Sequence, residues 1–363
     1  MQLSSLISRI RGESKTVGLD IGHRLAKVAV VEHKMGKTGT LVALESEALP
    51  DGVIVDNEIK NMSVLTDKIQ GLLARALPGG IDGDFVASVN WTSGILCDRM
   101  LVKPVPKVPE NELILQAAMG RSPFDDAGNV LDYSIVERKS EGIETMIIAA
   151  KKDSLAPWQN LFQSLGIKLS AIDVDAFALS NIYSVSSKRS DSMSEDEDST
   201  LILNIGYSKS YLAFLRHGSF NTARSMMGCA IQDFQEQLAS SLSISAKQAG
   251  GLLMGSSAMD LGIDEDKVKS TMEFVFDEIS MKIDTAIRYF GSLDNYRRAS
   301  KMVVAGGAGI KGLVSYLADK FSLEAVALSP FKAVTLDKSF RDADLNAMAS
   351  LYSVAVGLAL RRF

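Results

Sequence analysis

The residues best suited to chemistry lie on a short turn that follows the first apolar strand. The turn is part of Gly18-Leu19-Asp20-Ile21-Gly22, and a second apolar strand runs back over residues 25–31. Asp20 stands where the first strand ends, so we expect its carboxylate to project into a cleft above the sheet. Gly22 has no side chain and lets backbone N–H groups approach an anion. Such a hairpin suits a phosphate–metal pair, but turns of this composition also close ordinary hairpins, and the pattern alone leaves both interpretations open.

A similar hairpin occurs half a chain later. The apolar strand there ends in Asn204-Ile205-Gly206 and leads into a returning strand over residues 211–218. Two related hairpins predict two related domains that face each other across a cleft. A third glycine turn, Gly306-Gly307, follows another apolar strand and precedes a predicted helix, whose N-terminus would favour anions.

Length and composition describe an ordinary globular protein with room for two domains. Of the 363 residues, 46% are hydrophobic and 23% are charged, and the formal net charge of −5 argues against broad affinity for nucleic acids. Cys97 and Cys229 are the only cysteines, too few for a disulfide framework or a metal cluster, which favours a reducing cytoplasm. No stretch of the sequence is apolar for the roughly 20 residues that a membrane span requires.

The order of predicted elements is that of a ribonuclease-H-like α/β domain, and it occurs twice. The first half has three antiparallel strands, a helix at 61–77 and a strand at 85–89, and the second half repeats this plan from residue 201. Three prolines within 103–109 mark a connection in a strand–helix–strand–strand block that we interpret as an inserted subdomain. The predicted organisation is a first domain (1–185) with an insert at about 96–150, an acidic serine-rich loop (186–200), a second domain (201–345) with a helical subdomain at about 228–270, and a C-terminal helix (346–363) that returns to the first domain.

Several stretches along almost the whole chain resemble the actin/sugar-kinase/Hsp70 superfamily. Within it, the chain resembles the PilM-like type IV pilus assembly proteins, which are similar to the cell-division protein FtsA. The stretches that carry the resemblance are residues 18–22 with Lys27, 50–56, 116–133, 173–179, 287–290, 305–313, 329–331 and 355–361. The resemblance implies an actin-like α/β fold of two domains, with the inserted small subdomain in the first domain and the helical subdomain in the second.

The resemblance also implies that ATP and Mg²⁺ bind in the cleft between the two domains. The positions that match the family's nucleotide contacts are Asp20, Gly22, His23, Arg24, Lys27, Asn204, Gly206, Ser208, Gly306 and Gly307. Asp20 and Asp175 match the positions that would hold the metal ion. We assign no catalytic residue, because neither aspartate has a recognisable partner that would position an attacking water.

For partners, the resemblance implies the cytoplasmic N-terminal tail of a PilN-like inner-membrane protein, and it extends to PilO-like and motor-ATPase components and to homo-oligomers. The protein would then be cytoplasmic and held at the inner membrane through these partners. The tail is expected in a groove between the main body of the first domain and the inserted subdomain, where an extended peptide can add to a strand edge. The residues expected to line the groove are Leu101, Leu113, Met119, Phe124 and Tyr133.

Three departures from the family pattern predict a degenerate nucleotide site, with no ATPase activity or a very weak one. Asn204 stands where the family has an aspartate, and an amide cannot supply the charge that helps to hold Mg²⁺. His23 and Arg24 replace small hydroxyl residues, and Arg24 could either bind a phosphate or fill the cleft. The helix predicted at 245–253 lacks the expected nucleoside contacts, although Lys247 could substitute for one of them.

Two other functions remain open from the sequence. One is an active Mg-ATPase or small-molecule kinase of the same superfamily, which would need the carboxylate that Asn204 replaces. The other is a filament-forming protein similar to FtsA, recruited to the membrane by an amphipathic helix. Against it, the last predicted helix ends almost at the final residue, with no separate linker and tail.

Overall fold

The computed structural model describes residues 13–91, 94–188, 199–292, 298–340 and 345–363. The strands in these residues are, in chain order, β1 (Glu13–Ile21), β2 (Leu25–Lys34), β3 (Thr40–Ala48), β4 (Ile54–Val55), β5 (Glu58–Ile59), β6 (Asp84–Val89), β7 (Ile95–Val102), β8 (Asn129–Lys139), β9 (Gly142–Lys151), β10 (Leu169–Val174), β11 (Ser199–Ile205), β12 (Ser210–Arg216), β13 (Ser219–Met226), β14 (Lys301–Gly306), β15 (Glu324–Ala327) and β16 (Thr335–Leu336).

The helices of the same residues are α1 (Met62–Ala76), α2 (Glu110–Met119), α3 (Lys152–Ser164), α4 (Asp175–Lys188), α5 (Ile231–Leu242), α6 (Ala246–Leu253), α7 (Glu265–Gly291), α8 (Leu313–Phe321) and α9 (Ser353–Ala359). Short 3₁₀ segments occur at Met259–Leu261, Gly307–Gly309, Pro330–Ala333 and Asn346–Tyr352. None of the helices described is both long and apolar enough to cross a membrane. Of the predicted acidic loop 186–200, residues 189–198 lie outside the described residues.

The chain divides into two compact units. The first runs to Asn90 and resumes at Lys168, and the second is Trp91–Ile167. The second unit contains a three-stranded antiparallel sheet in the order β7-β9-β8 together with α2 and α3. Its core joins buried residues of the sheet to Ile114 and Ala118 of α2 and to Phe124 in the segment after that helix.

The first unit contains two sheets built on the same plan. One has the order β10-β6-β1-β2-β3-β16, in which β1, β2 and β3 are antiparallel neighbours and β6 and β10 run parallel to β1. The other has the order β13-β12-β11-β14-β15, with the same antiparallel meander followed by two parallel strands. Parallel strands end at the same edge of a sheet, so residues at the carboxyl ends of β1 and β6, and likewise of β11 and β14, lie side by side.

The C-terminal segment winds differently from the single helix predicted for it. Residues Asn346–Tyr352 form a 3₁₀ segment that contacts β14 and the Gly307–Gly309 turn, and only then does α9 begin. Because α9 contacts β1, β2 and α4, the two successive parts of the C-terminal segment pack against different elements. A change from about 3.0 to about 3.6 residues per turn redirects the buried side chains from one surface to the other.

Helix α9 is buried along its whole length and approaches its neighbours at two glycines. A Cβ atom at Gly18 of β1 would lie 2.2 Å from the carbonyl oxygen of Ala355, and one at Gly357 would lie 2.3 Å from the carbonyl oxygen of Ala178 in α4. Because α4 also packs on β13, the strand–helix contacts of α9 and α4 link the first sheet to the second.

Polar contacts hold the end of the chain on the first sheet. The Thr16 hydroxyl donates a hydrogen bond to the carbonyl oxygen of Arg361 (2.9 Å), and Nε2 of the buried His33 lies 2.9 Å from the carbonyl oxygen of Ala359. The guanidinium of Arg361 pairs with Asp173 at 2.7 Å, just before the first turn of α4. Burial is the largest cause that lowers the pKa of His33, which keeps the ring neutral at pH 7.

We expect Gly18→Ala to lower the free energy of unfolding by about 1–3 kcal/mol or more, because backbone atoms of α9 occupy the space of the new methyl group and cannot rotate away. Gly71→Ala in α1 is the matched control. It lies exposed in a helix with no close neighbour, so the same change should stabilise by about 0.5–1 kcal/mol. Urea unfolding of both variants measures the difference. Equal effects of the two substitutions would contradict the close packing of α9 on β1.

Candidate functional site

The first hairpin turn is closed by its own backbone and carries a buried ion pair. The Gly22 N–H donates to the carbonyl oxygen of Leu25 at 3.1 Å. Asp20 and Lys27 are cross-strand partners in the register of β1 and β2, and Lys27 Nζ lies 2.6 Å from Asp20 Oδ2. The other carboxylate oxygen of Asp20 is 3.4 Å from the Ser88 hydroxyl on the neighbouring strand β6. The carboxylate predicted for metal binding therefore already has a cation beside it.

The second hairpin has the same construction with different residues at the paired positions. The Gly206 N–H donates to the carbonyl oxygen of Lys209 at 3.0 Å, and a Cβ at Gly206 would come within 2.6 Å of that oxygen. Asn204 of β11 is the cross-strand partner of Tyr211 in β12. Tyr211 thus occupies the position that corresponds to Lys27 in the first hairpin. The buried Ser208 hydroxyl has no hydrogen-bond partner.

A second predicted metal ligand, Asp175, lies beside this hairpin. One of its carboxylate oxygens accepts a hydrogen bond from the Ala176 N–H (2.8 Å) at the start of α4, and the other lies 3.5 Å from the amide nitrogen of Asn204. Burial, and then the negative charge of Asp175, raise the pKa of Tyr211 well above its usual value. The charge of Asp20 acts in the same direction, so the two aspartates predicted to hold a metal ion both lie near one buried, neutral phenol.

Neighbouring atoms of the chain leave no room for a side chain at either glycine of the third turn. Gly306 ends β14 beside Ile205, has φ +65°, and would place a Cβ 2.3 Å from the carbonyl oxygen of Ile205. A Cβ at Gly307 would lie 2.9 Å from the Ile205 side chain. The next residues form the 3₁₀ segment Gly307–Gly309, and α8 begins only at Leu313. The N-terminus of α8 is therefore displaced from the glycines by a further turn of chain.

Arg24 bridges the two hairpins. Its guanidinium pairs with the carboxylate of Asp51, which follows β3 in the first half of the unit. The same group donates a hydrogen bond to the Tyr207 hydroxyl at 3.0 Å and lies 4.7 Å from the centre of the Tyr207 ring, on the second hairpin. An exposed ion pair contributes about 0.2–1 kcal/mol, and a cation over an exposed aromatic ring about 0.5–1 kcal/mol. These contacts are strong enough to bias the distance between the hairpins but too weak to lock it.

A second bridge lies next to the first. Lys209 Nζ on the second hairpin lies 3.1 Å from Asp56 Oδ1, in the turn between β4 and β5. That turn is fixed to the first hairpin, because the Asn57 N–H donates to His23 Nε2 at 3.3 Å. It is also held by Asn90, whose side-chain amide donates to Asn57 Oδ1 at 3.2 Å.

The electrostatics of His23 follow from this second bridge. Burial is the largest cause that lowers its pKa, the nearby charge of Lys209 lowers it further, and the charge of Asp56 raises it. A neutral imidazole is also what the geometry requires, because Nε2 can accept the Asn57 N–H only when it carries no proton. His23 is therefore a neutral hydrogen-bond acceptor near pH 7, not a phosphate-binding cation.

The structure brings the predicted nucleotide residues together, but the donor set does not fit Mg·ATP. The basic side chains nearest the two hairpin turns are each paired with a carboxylate: Arg24 with Asp51, Lys27 with Asp20, and Lys209 with Asp56. The described residues contain no group of three or more His, Cys, Asp or Glu side chains arranged to hold a metal ion. The N–H groups of Gly22 and Gly206 are already used within their own turns, where they donate to the carbonyl oxygens of Leu25 and Lys209.

The residues predicted to bind a peptide all lie in the second unit but not on one surface. Leu113, Phe124 and Tyr133 belong to the same apolar cluster, of which Phe124 is the buried member. Leu101 alternates along β7 with Met100 and Val102 of that cluster, so its side chain lies on the opposite face of the sheet, 48% exposed. Met119 ends α2 and is 61% exposed.

Sequence reasoning assigned no role to several residues that shape the site, namely Asp51, Asp56, Asn57, Tyr207, Lys209 and Tyr211. A signal for one of them was available. Asp20 and Lys27 are seven residues apart, as are Asn204 and Tyr211, and each pair brackets a short turn between two strands. In an antiparallel hairpin with a short turn, this spacing makes the two residues cross-strand partners.

The chain is similar to known proteins in sequence pattern and in fold. A family model described as type IV pilus assembly protein PilM matches residues 18–363. No curated protein matches the sequence. Among solved structures, a PilM–PilN type IV pilus biogenesis complex has a TM-score of 0.76 and 22% sequence identity, covering 95% of this chain and 98% of the other.

Two further solved structures resemble the chain in fold. The ethanolamine utilization protein EutJ from Carboxydothermus hydrogenoformans has a TM-score of 0.53 at 11% identity, covering 95% of this chain and 89% of its own. MreB5 of Spiroplasma citri bound to ADP has a TM-score of 0.51 at 14% identity, covering 95% and 94%. Together with the two matching sheets, these similarities confirm the predicted actin-like α/β fold.

We expect His23→Gln to reduce the dependence of stability on pH. The folded-state pKa of His23 lies below its unfolded value, so the contribution of the neutral ring is complete above about pH 6.5 and is lost as pH falls through the folded pKa. Glutamine can still accept the Asn57 N–H but does not titrate. Urea unfolding at pH 7.5 and pH 5.5 should therefore show a smaller loss for the variant than for the original chain, and His33, whose pKa is also lowered, contributes to the loss in both. An unchanged loss would contradict this role of His23.

Proposed function

The chain belongs to the family of type IV pilus assembly proteins PilM, and from this premise we propose that it is an actin-like scaffold of a type IV pilus or related secretion-like assembly platform. The scaffold binds the cytoplasmic N-terminal tail of a PilN-like inner-membrane protein. The observation that carries the proposal is the similarity to the PilM–PilN complex, which extends over nearly the whole of both chains. In this proposal the protein is cytoplasmic, and the membrane anchor of its partner holds it at the inner membrane.

The second unit, Trp91–Ile167, is the proposed site of tail binding. In its sheet, β7 and β8 each pair with β9 on one side only, so among the described strands both have an outer edge to which an extended peptide could add. Leu113 and Tyr133 are only partly buried against the cluster around Phe124, which provides an apolar surface for alternate side chains of such a peptide. Leu101 and Met119 add exposed apolar side chains. Binding to PilO-like or motor-ATPase components and to further copies of the chain stays a prediction.

An active Mg-ATPase is the second candidate, and MreB5 bound to ADP supports it at the level of fold. ATP with Mg²⁺ was also the cofactor expected from the resemblance. The residues of this chain do not favour it, because Asn204 stands where the resemblance implies a carboxylate and the cations nearest the two hairpin turns are paired. In our proposal the cleft therefore serves to join the two halves of the first unit and does not turn over nucleotide.

We expect a peptide that copies the N-terminal tail of a co-encoded PilN-like protein to bind the full chain, as measured by fluorescence anisotropy. Leu101→Ser and Met119→Ser each remove an exposed apolar side chain of the second unit and should weaken binding about tenfold if the tail covers it. Met35→Ser is the matched control, because Met35 is an 80% exposed side chain on a turn of the first unit.

Two results would contradict the proposal. One is the absence of binding to the original chain at micromolar protein. The other is that both second-unit variants bind the peptide as tightly as Met35→Ser does, since the tail would then lie elsewhere. A loss confined to Leu101→Ser would place the tail on the sheet face opposite α2, and a loss confined to Met119→Ser would place it on the α2 side.

A further inference from the structure

We propose that the two hairpins of the first unit are clasped by the chain's own side chains, so that the closed cleft is favoured without a nucleotide and polyphosphate anions are excluded from it. The clasp consists of Arg24 with Asp51 and Tyr207, and of Lys209 with Asp56. The inference concerns the first unit only and does not depend on tail binding by the second.

The first contact of the clasp requires an arginine. The planar guanidinium of Arg24 serves a carboxylate, a hydroxyl group and an aromatic ring at once, with the ring centre 4.7 Å away. A lysine has a compact ammonium group and cannot present this combination from one position.

The carboxylates of the clasp come from a single segment, residues 50–60, that is tied to the first hairpin by hydrogen bonds. The Leu49 N–H donates to the carbonyl oxygen of Arg24 at 2.9 Å, and the Asn57 N–H donates to His23 Nε2. The second hairpin contributes Tyr207 and Lys209, two residues apart on one turn. Both bridges therefore join the first hairpin, with its attached segment 50–60, to the second hairpin. Each bridge keeps the partners of the other bridge close together.

Charge balance explains why this clasp excludes polyphosphate. An incoming anion would seek Arg24, Lys27 and Lys209, which are the basic residues nearest the turns of the two hairpins. Each of them is already neutralised by a carboxylate of the protein, and His23 carries no charge near pH 7. Binding a polyphosphate would require three ion pairs to be broken and three carboxylates to be left facing an anion, which like-charge repulsion opposes.

The exposure of the clasp makes it reversible. The side chain of Arg24 is 39% exposed and that of Lys209 is 44% exposed, so salt screens both pairs. Closure is therefore an equilibrium that ionic strength and single substitutions can shift, and local opening appears as exchange of backbone amide hydrogens.

The test is hydrogen–deuterium exchange of the full chain at pH 7.5 in low salt. Arg24→Ser should raise exchange of residues 206–211 about three- to tenfold, although the substitution lies on the other hairpin. Arg75→Ser is the matched control: Arg75 is 44% exposed and pairs with Glu45 and Glu47 within the first half, so exchange at 206–211 should not change. If Arg24→Ser leaves this exchange unchanged, or if Arg75→Ser raises it equally, the clasp is refuted.

A charge reversal tests the second contact of the clasp, the pair of Lys209 with Asp56. Lys209→Asp should raise exchange of the 55–58 turn, and the double variant Lys209→Asp, Asp56→Lys should restore protection by re-forming the pair with opposite sign. If the double variant does not restore protection, the contact between Lys209 and Asp56 is refuted.

The exclusion of polyphosphate is tested by melting the original chain with millimolar Mg·ATP or Mg·tripolyphosphate. No rise in melting temperature is expected, and a rise of several degrees would overturn the proposed exclusion. Tail binding in the Arg24→Ser variant should equal that of the original chain, which separates failure of the clasp from failure of the proposed function.

Discussion

The register of two antiparallel hairpins is the constraint on which the rest of the structure depends. In each hairpin the last polar residue of one strand faces a residue seven positions later on the returning strand, Asp20 with Lys27 and Asn204 with Tyr211. This pairing decides which polar side chains lie next to each other behind each hairpin turn. The first hairpin buries a salt bridge, which is tolerable only because both charges are present, and the second buries a neutral amide and a phenol.

The two hairpins therefore differ in charge at the paired positions, and carboxylates of the protein balance the basic side chains near their turns. Nearby carboxylates pair with Arg24, Lys27 and Lys209, and the segment 50–60 supplies two of these carboxylates. A polyphosphate is attracted most strongly by cations whose charge is not already balanced by a neighbouring carboxylate. Here the same fold, which MreB5 shares, is built with its charges satisfied internally.

The hairpin residues and the region proposed to hold a partner belong to different units of the chain. The Trp91–Ile167 unit has its own sheet and its own small core, so substitutions on its surface can alter binding without disturbing the hairpins. Its strands leave edges that could accept an extended peptide, whereas the central strands of the first unit are paired on both sides. An actin-like scaffold can thus keep the shared architecture and place its specificity in an insert.

The sequence alone determined the elements and their order, because alternating and helical apolar patterns are local. The three antiparallel strands predicted within residues 17–48 are confirmed, the repeat predicted from residue 201 has the same order of strands, and the family motifs pointed to the actin-like fold. The same patterns placed Asp20, Asn204 and Gly306 at strand ends, where the structure has them.

What only the tertiary structure decided is which of these residues meet. Arg24 could have bound an anion or filled the cleft, and the choice depended on Asp51 and on Tyr207, which is 183 residues away in the chain. The need for glycine at 18 came from a helix that begins at Ser353, and Leu101 was separated from Phe124 by the faces of one sheet. Contacts between distant segments depend on the packing of whole elements, which no local pattern encodes, and it was these contacts that satisfied the charges of the cleft.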